Sequence, residues 1–97
     1  MKNLFFTLFI TTSFCFGQSN LVNDFKITIL STMLSDTHIG EWGFSALVEV
    51  DGEKILFDTG SRPNTVFQNA IELNIDLSNI KNVYLSHNHK DHTGGLL

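Results

Sequence analysis

The chain has 97 residues, of which 42% are hydrophobic and 16% are charged, a balance that indicates one small globular domain and excludes a disordered segment. Its formal net charge is −4 and it has no basic run, so nucleic acid is excluded as an expected partner. The charge indicates nothing more specific about a partner, and a small-molecule substrate is predicted on other grounds.

The first 17 residues have the layout of a secretory signal peptide. Lys2 gives a basic start, an apolar stretch runs from Leu4 to Phe16, and small residues stand at Cys15 and Gly17, before Gln18. The apolar stretch is about two-thirds of the ~20 residues that a membrane-spanning helix needs, which favours cleavage over anchoring. We therefore predict a signal peptide over residues 1–17, export to the periplasm or the extracellular space, and no stable membrane association afterwards.

Cleavage after Gly17 would also remove Cys15, which is the one cysteine of the sequence. The mature domain, residues 18–97, would then have no thiol. We therefore predict neither a disulfide framework nor a thiolate nucleophile, although the expected compartment is oxidising.

Patterns of β-branched and alternating residues predict three strands in the first half of the mature domain. The first covers residues 26–33 and is followed by a loop that contains Trp42. The second covers residues 44–50, where we expect the face with Phe44, Ala46, Val48 and Val50 to be the more buried one. A turn at Asp51-Gly52 leads into the returning strand, residues 54–60.

The sequence of the second half of the mature domain predicts one helix and one more strand. The helix follows Pro63, with an apolar stripe at helical spacing formed by Val66, Phe67, Ala70, Ile71 and Leu73. The strand, residues 82–86, leads directly into a polar segment. This order predicts an α/β arrangement with the chemistry at the carboxyl end of a strand.

That polar segment, "SHNHKDHTGG", carries four candidate metal ligands: His87, His89, Asp91 and His92. In an extended segment residues i and i+2 point the same way, so His87 and His89 can reach one ion. Imidazole and carboxylate ligands without thiolate suit zinc, and also iron or manganese. A single histidine such as His38 is more often a surface or core residue. The sequence therefore predicts a metal site on this segment.

Two motifs resemble a known family. "HNHKDH" is similar to the HxHxDH signature of the metallo-β-lactamase-fold hydrolases, and "ILFDTG" is similar to the strand that precedes it there. Within that superfamily, "GEWGFSALVEVDGEKILFDTG" and "LSHNHKDHTGGL" resemble the dihydropterin-ribofuranosylaminobenzene phosphate synthase-like branch. The resemblance covers residues 26–97.

The resemblance implies a role for each matching residue. His87 and His89 would hold one ion, and Asp91 and His92 a second, with Asp91 also orienting an attacking hydroxide. Asp58 would be a buried carboxylate that supports the ligand loop; capping of a turn is the alternative for this residue. The implied fold is an α+β sandwich with four layers in the order αββα. Residues 18–97 would form its first half, so the fold would be incomplete in this chain.

Three functional hypotheses follow. The main one is an exported metal-dependent hydrolase with one or two zinc ions. Its substrate would be an ester, lactone, amide, thioester or phosphoester. The 97-residue chain would be an inactive fragment by itself. The second is a transferase or synthase-like enzyme with a pterin-type substrate. The third is a non-catalytic metal-binding remnant.

Overall fold

Four strands and two helices make up residues 21–96, the part of the chain that the computed structural model describes. They are β1 (Phe25–Ser31), β2 (Ser45–Val50), β3 (Glu53–Phe57), α1 (Thr65–Glu72), β4 (Asn82–Tyr84) and α2 (Lys90–Thr93), followed by a 3₁₀ turn, Gly94–Leu96. The predicted signal peptide and its cleavage site lie outside the described residues.

The strands form one mixed sheet in the order β1-β2-β3-β4, antiparallel except for the parallel pair β3 and β4. Asp51 and Gly52 join β2 to β3 with φ angles of 48° and 84°, as the hairpin turn requires. The described chain is therefore a small α+β domain with a four-stranded mixed sheet and two helices. Each predicted strand is present and is one or two residues shorter than predicted, with β1 and β3 each beginning one residue earlier.

Helix α1 packs on one face of the sheet and forms the core with it. The buried apolar cluster consists of Leu30, Leu47, Val66 and Ala70. The predicted stripe on this helix is partly wrong, because Phe67 and Ile71 are 58% and 55% exposed. Polar Thr65 and Asn69 take the inner positions instead, since both have hydrogen-bond partners there.

The prediction for β2 also needs a correction. Ala46 is buried as predicted, but Leu47, assigned to the less buried face, is fully buried, whereas Val48 and Val50 are only partly buried. Neighbouring side chains of a strand point to opposite faces, and α1 covers the face of Leu47. The position of the helix, which strand alternation does not reveal, decides which face is the core.

The opposite face of the sheet is apolar but open to solvent in the described chain. Phe25, Ile27 and Ile29 alternate on β1 with exposures of 63%, 52% and 46%. The strand register continues this surface across the sheet, because Ile27 is paired with Val48 and Ile29 with Ala46, whose partner on β3 is Phe57.

Strands β3 and β4 end at the same edge of the sheet because they run in parallel. The backbone N–H of Asp58, just after β3, donates a 2.8 Å hydrogen bond to the carbonyl of Tyr84 at the end of β4. This pairing places the "DTG" segment beside the histidine-rich loop. Within residues 21–96, no helix has the length and apolar character needed to cross a membrane.

Candidate metal centre

Asp58 is the first residue after β3, and it is buried with an exposure of 1%. Its φ of 55° lies in the left-handed region, which aspartate tolerates better than most residues. Its carboxylate accepts hydrogen bonds of 2.7 Å from both the backbone N–H and the hydroxyl of Ser86. This conformation turns the carboxylate toward the loop that follows β4.

The same carboxylate contacts the imidazole of His92. Nδ1 of His92 lies 2.7 Å from Oδ2 of Asp58. A carboxylate partner fixes both the tautomer and the orientation of an imidazole ring, with the proton on the nitrogen that faces it. The arrangement therefore leaves Nε2 of His92 available as a metal ligand.

Two opposing effects act on the pKa of Asp58. Burial disfavours the charged form and raises the pKa, but the hydrogen bonds from Ser86 and His92, together with the charge of His92, lower it more. The net result is a pKa below the ordinary value for aspartate. Asp58 is thus a permanent buried anion at neutral pH.

The structure brings three of the four predicted ligands together. His87, Asp91 and His92 each offer one ligand atom, and these atoms all lie within 4.8 Å of one another. Oδ2 of Asp91 is 3.5 Å from Nε2 of His92. Nδ1 of His87 is 2.8 Å from the hydroxyl of Ser86, so Nε2 of His87 also remains available.

His89 stays outside this group of three. Its ring packs against that of His87 with centroids 4.6 Å apart, but it does not join the convergent ligand atoms. The i, i+2 argument treated the segment as extended, whereas the chain bends at residues 86–88 and becomes helical at Lys90. One helical turn brings Asp91 and His92 back toward His87, so the grouping differs from the assignment of His87 and His89 to one ion.

Backbone contacts hold α2 in place, the short helix that carries Asp91 and His92 and is called the ligand helix below. The N–H of Thr59 donates to the carbonyl of His92 at 2.8 Å, and the N–H of Phe44 donates to that of Asp91 at 3.1 Å. The N–H of Gly94 donates to Gly60 at 2.8 Å. A Cβ at Gly94 would collide with the carbonyl of Ser61, so the chain can approach this closely only with glycine at that position.

Glu41 is a buried carboxylate that sequence reasoning missed. It is 5% exposed and accepts hydrogen bonds from the backbone of Ser61 at 2.8 Å and of Arg62 at 3.0 Å. The hydroxyls of Ser31 and Thr65 also donate to it, at 2.7 and 2.9 Å. A single glutamate between two loop residues gives no periodic signal, so only its tertiary contacts reveal this role.

Glu41 therefore ties the loop after β3 to the loop before β2. Burial raises its pKa, but the hydrogen bonds from Ser61, Ser31, Thr65 and Arg62 together lower it below the ordinary value of 4.5. Gly60 and Ser61 in turn contact Gly94 at the end of the ligand helix. Glu41 therefore holds the loop on which that helix rests, without contacting the candidate ligands itself.

His38 lies apart from the cluster, as expected for a single histidine. Its Nε2 is 3.8 Å from Glu72.

Trp42 is 72% exposed, and it lines an open pocket of about 270 Å³ together with Asp91.

The donor set can be tested against the metal that it implies. Two imidazoles and one carboxylate match the three protein ligands of catalytic zinc sites, which keep a further position open. The buried Asp58 behind His92 is the outer partner that such ligands usually have. The residues present fit a divalent metal ion. The fold and the site together define an α+β domain with a histidine- and aspartate-rich candidate metal centre.

A family model named Anti-Pycsar protein Apyc1 matches residues 25–97. The chain belongs to this family. A relative from Methanocaldococcus jannaschii, named 7,8-dihydropterin-6-methyl-4-(beta-D-ribofuranosyl)-aminobenzene-5'-phosphate synthase, is 38% identical over 82 residues, which cover 77% of this chain and 28% of the relative.

An uncharacterized protein of the same organism is 41% identical over 54 residues, covering 56% of this chain and 21% of that protein. The chain therefore spans less than a third of the length of either relative.

These findings correct the predicted identity. The assignment to the metallo-β-lactamase-fold hydrolases is wrong, because the matching family is Apyc1 and the named relative is a synthase. The main functional hypothesis, an exported hydrolase of that superfamily, is wrong for the same reason. The pterin-substrate alternative agrees better with the findings. The HxHxDH motif identified a ligand pattern, and that pattern does not specify the reaction.

Proposed function

We propose that the intact protein is a metal-dependent enzyme with a synthase-type activity on a pterin-type substrate. The observation that carries this proposal is the 38% identity to a synthase whose name describes a product with a dihydropterin ring and a ribose 5'-phosphate. The cluster of His87, Asp91 and His92 supports it, because its donors suit a divalent metal ion.

His87, Asp91 and His92 would hold the ion, with His89 as a further candidate at the edge of the cluster. A divalent ion would supply Lewis-acid chemistry there, with zinc the first choice and iron or manganese also compatible. Asp58 holds the Nδ1 proton of His92 and so keeps Nε2 directed at the cluster. Asp91 is the more accessible of the two carboxylates, with a side-chain exposure of 29%, and it is our candidate for the catalytic residue.

We further propose that the domain forms the first half of a four-layer αββα sandwich in the intact protein. The support is the apolar sheet face that α1 does not cover, with Phe25, Ile27 and Ile29 all about half exposed or more. A sheet with two apolar faces is stable when a second layer covers each of them. The greater length of both relatives leaves room for such a layer.

The synthase proposal is tested by product formation. The intact protein is incubated with 4-(β-D-ribofuranosyl)aminobenzene 5'-phosphate and a 7,8-dihydropterin that bears a leaving group on its 6-methyl carbon. The joined product is then measured by mass spectrometry. We expect a product that disappears with a chelator, returns with added zinc, and is absent for His87→Ala. Failure to join the two substrates at any metal loading would refute the proposal.

Membership of the family favours a second candidate, which is narrower than the hydrolase hypothesis corrected above: phosphodiester cleavage, because anti-Pycsar proteins are phosphodiesterases. Both candidates share a substrate with an esterified phosphate. Release of 4-nitrophenolate from bis(4-nitrophenyl) phosphate separates them. Chelator-sensitive release without pterin joining would favour phosphodiester cleavage, and joining without release would favour the synthase.

We also propose export, on the basis of the predicted signal peptide alone. Mass spectrometry of the protein from the periplasmic or culture fraction should find Gln18, or its cyclised form, at the N-terminus. Recovery of the chain from membranes with Met1 intact would contradict export.

A further inference from the structure

The indole of Trp42 stands beside the candidate metal centre with no covering group among the described residues. It is 72% exposed, although burial of a tryptophan is strongly favourable. The pocket beside it has a volume of about 270 Å³, and its other lining residues are Thr32, Met33, Gly43, Phe44 and Asp91. Asp91 thus belongs both to this pocket and to the metal-ligand cluster.

The backbone that carries Trp42 is fixed on both sides. The N–H of Glu41 donates to the carbonyl of Thr32 at 3.0 Å, and the N–H of Gly43 donates to the carbonyl of Glu41 at 2.9 Å. The carboxylate of Glu41 is itself anchored by four donors. The backbone on both sides of the exposed indole is therefore held by hydrogen bonds, which lowers the conformational entropy that the protein loses when a ligand stacks on Trp42.

The same segment contacts the ligand loop directly. The N–H of Phe44, two residues after Trp42, donates to the carbonyl of Asp91. Added at Gly43, a Cβ would lie 2.9 Å from that same carbonyl oxygen. The position of the Trp42 backbone relative to Asp91 is thus set by backbone contacts. Since Asp91 belongs both to the ligand cluster and to the pocket of Trp42, a molecule bound at the cluster would lie next to that pocket.

We propose that Trp42 is a stacking platform for a flat heteroaromatic ring of the substrate, and that it determines ring specificity while the metal centre holds the polar end. This inference rests on the proposed function. The pocket is shallow and open to solvent, with a volume of about 270 Å³, and such a surface beside an exposed indole suits the face of one ring system. A pterin and a nucleobase both present such a ring.

Binding to the intact protein tests this proposal. Four probes are compared by titration calorimetry: 6-hydroxymethylpterin, adenosine 5'-monophosphate, cytidine 5'-monophosphate and ribose 5-phosphate, which has the phosphate but no ring. Stacking on an aromatic side chain is worth a factor of about ten or more in affinity. We expect Trp42→Ala to weaken at least one ring probe by that factor, and Trp42→Phe to retain most of the binding.

The fluorescence of Trp42 gives a second readout. The part of the emission that Trp42→Phe removes should be quenched by the ring probe that binds, and not by ribose 5-phosphate. Phe67→Ala is the matched control, since Phe67 is also an exposed aromatic residue, 58% exposed, but lies on α1. Circular dichroism and zinc affinity should be the same for all three variants.

The outcomes separate this inference from the proposed function. Binding of the pterin or of a nucleotide that depends on Trp42 supports the platform and identifies the ring. The platform is refuted if no ring probe binds, if Trp42→Ala binds as well as the parent, or if it weakens ribose 5-phosphate equally. Synthase activity that is absent while ring binding depends on Trp42 would remove the proposed function and leave the platform in place.

Discussion

Nδ1 of His92 and Oδ2 of Asp58 are 2.7 Å apart although 34 residues separate them in the sequence. Asp58 is 1% exposed, so this hydrogen bond is shielded from water. It directs the imidazole of His92 toward His87 and Asp91, and the four predictions below concern this group of residues and the contacts that hold it in place.

Asp58→Asn should weaken metal binding without removing a ligand. The amide keeps the shape of the side chain but loses the charge that favours a proton on Nδ1 of His92. Loss of such an outer partner typically lowers metal affinity by about 10- to 100-fold, and we expect a decrease in that range for zinc, measured by competition with a chromogenic chelator. Asp36→Asn, at an exposed carboxylate, is the control. Equal affinity for the parent and Asp58→Asn would show that the hydrogen bond is irrelevant to metal binding.

His87→Ala and His89→Ala should differ in their effect on the first metal ion. Of these two histidines, only His87 belongs to the group of convergent ligand atoms found among the described residues. His87→Ala should therefore remove tight binding of one ion, and His89→Ala should weaken this binding much less. Elemental analysis and calorimetry of both variants provide the comparison. If the two losses are equal, the pairing of His87 with His89 on one ion is correct and the grouping seen in the structure is not.

Glu41→Gln should reduce the loss of stability at acid pH. Because hydrogen bonds hold the pKa of Glu41 below 4.5, the unfolded chain takes up this proton at a higher pH than the folded one. The stabilisation is therefore complete above the ordinary pKa and is lost as the pH falls through the lowered value. Denaturant unfolding between about pH 6 and pH 2 measures this dependence, because the loss falls below the ordinary pKa.

At neutral pH the same variant should be less stable by about 2 kcal/mol, since hydrogen bonds to a charged acceptor are stronger than those to an amide. Glu53→Gln, at an exposed position of β3, should leave both the neutral stability and its pH dependence unchanged. A parallel shift of the whole curve for Glu41→Gln would mean that its ionisation does not contribute.

Gly94→Ala should move the ligand helix away from the loop after β3. Its Cβ would overlap the carbonyl of Ser61, and relief of such overpacking typically costs about 1–3 kcal/mol. We expect lower stability, weaker zinc binding and shifted imidazole resonances of His92. Leu96→Ala, in the same 3₁₀ turn and 51% exposed, is the control. Unchanged zinc affinity for Gly94→Ala would show that the loop tolerates the displacement.

Local patterns in the sequence were enough for the order of the elements. Strand alternation, the Asp51-Gly52 turn and helical spacing after Pro63 each depend on residues close together in the chain. The candidate ligands were found for the same reason, because His87, Asp91 and His92 lie within six positions. The type of chemistry carried by a short segment is a local property.

The sequence by itself also placed the candidate metal ligands on a loop that follows a strand. Only the tertiary structure decided which ligands converge, which sheet face is the core, and which carboxylates support the site. The burial of Leu47 depends on where α1 docks, and the role of Glu41 depends on four donors from three other parts of the chain. Such contacts arise between segments far apart in the sequence, where neither periodicity nor spacing carries a signal.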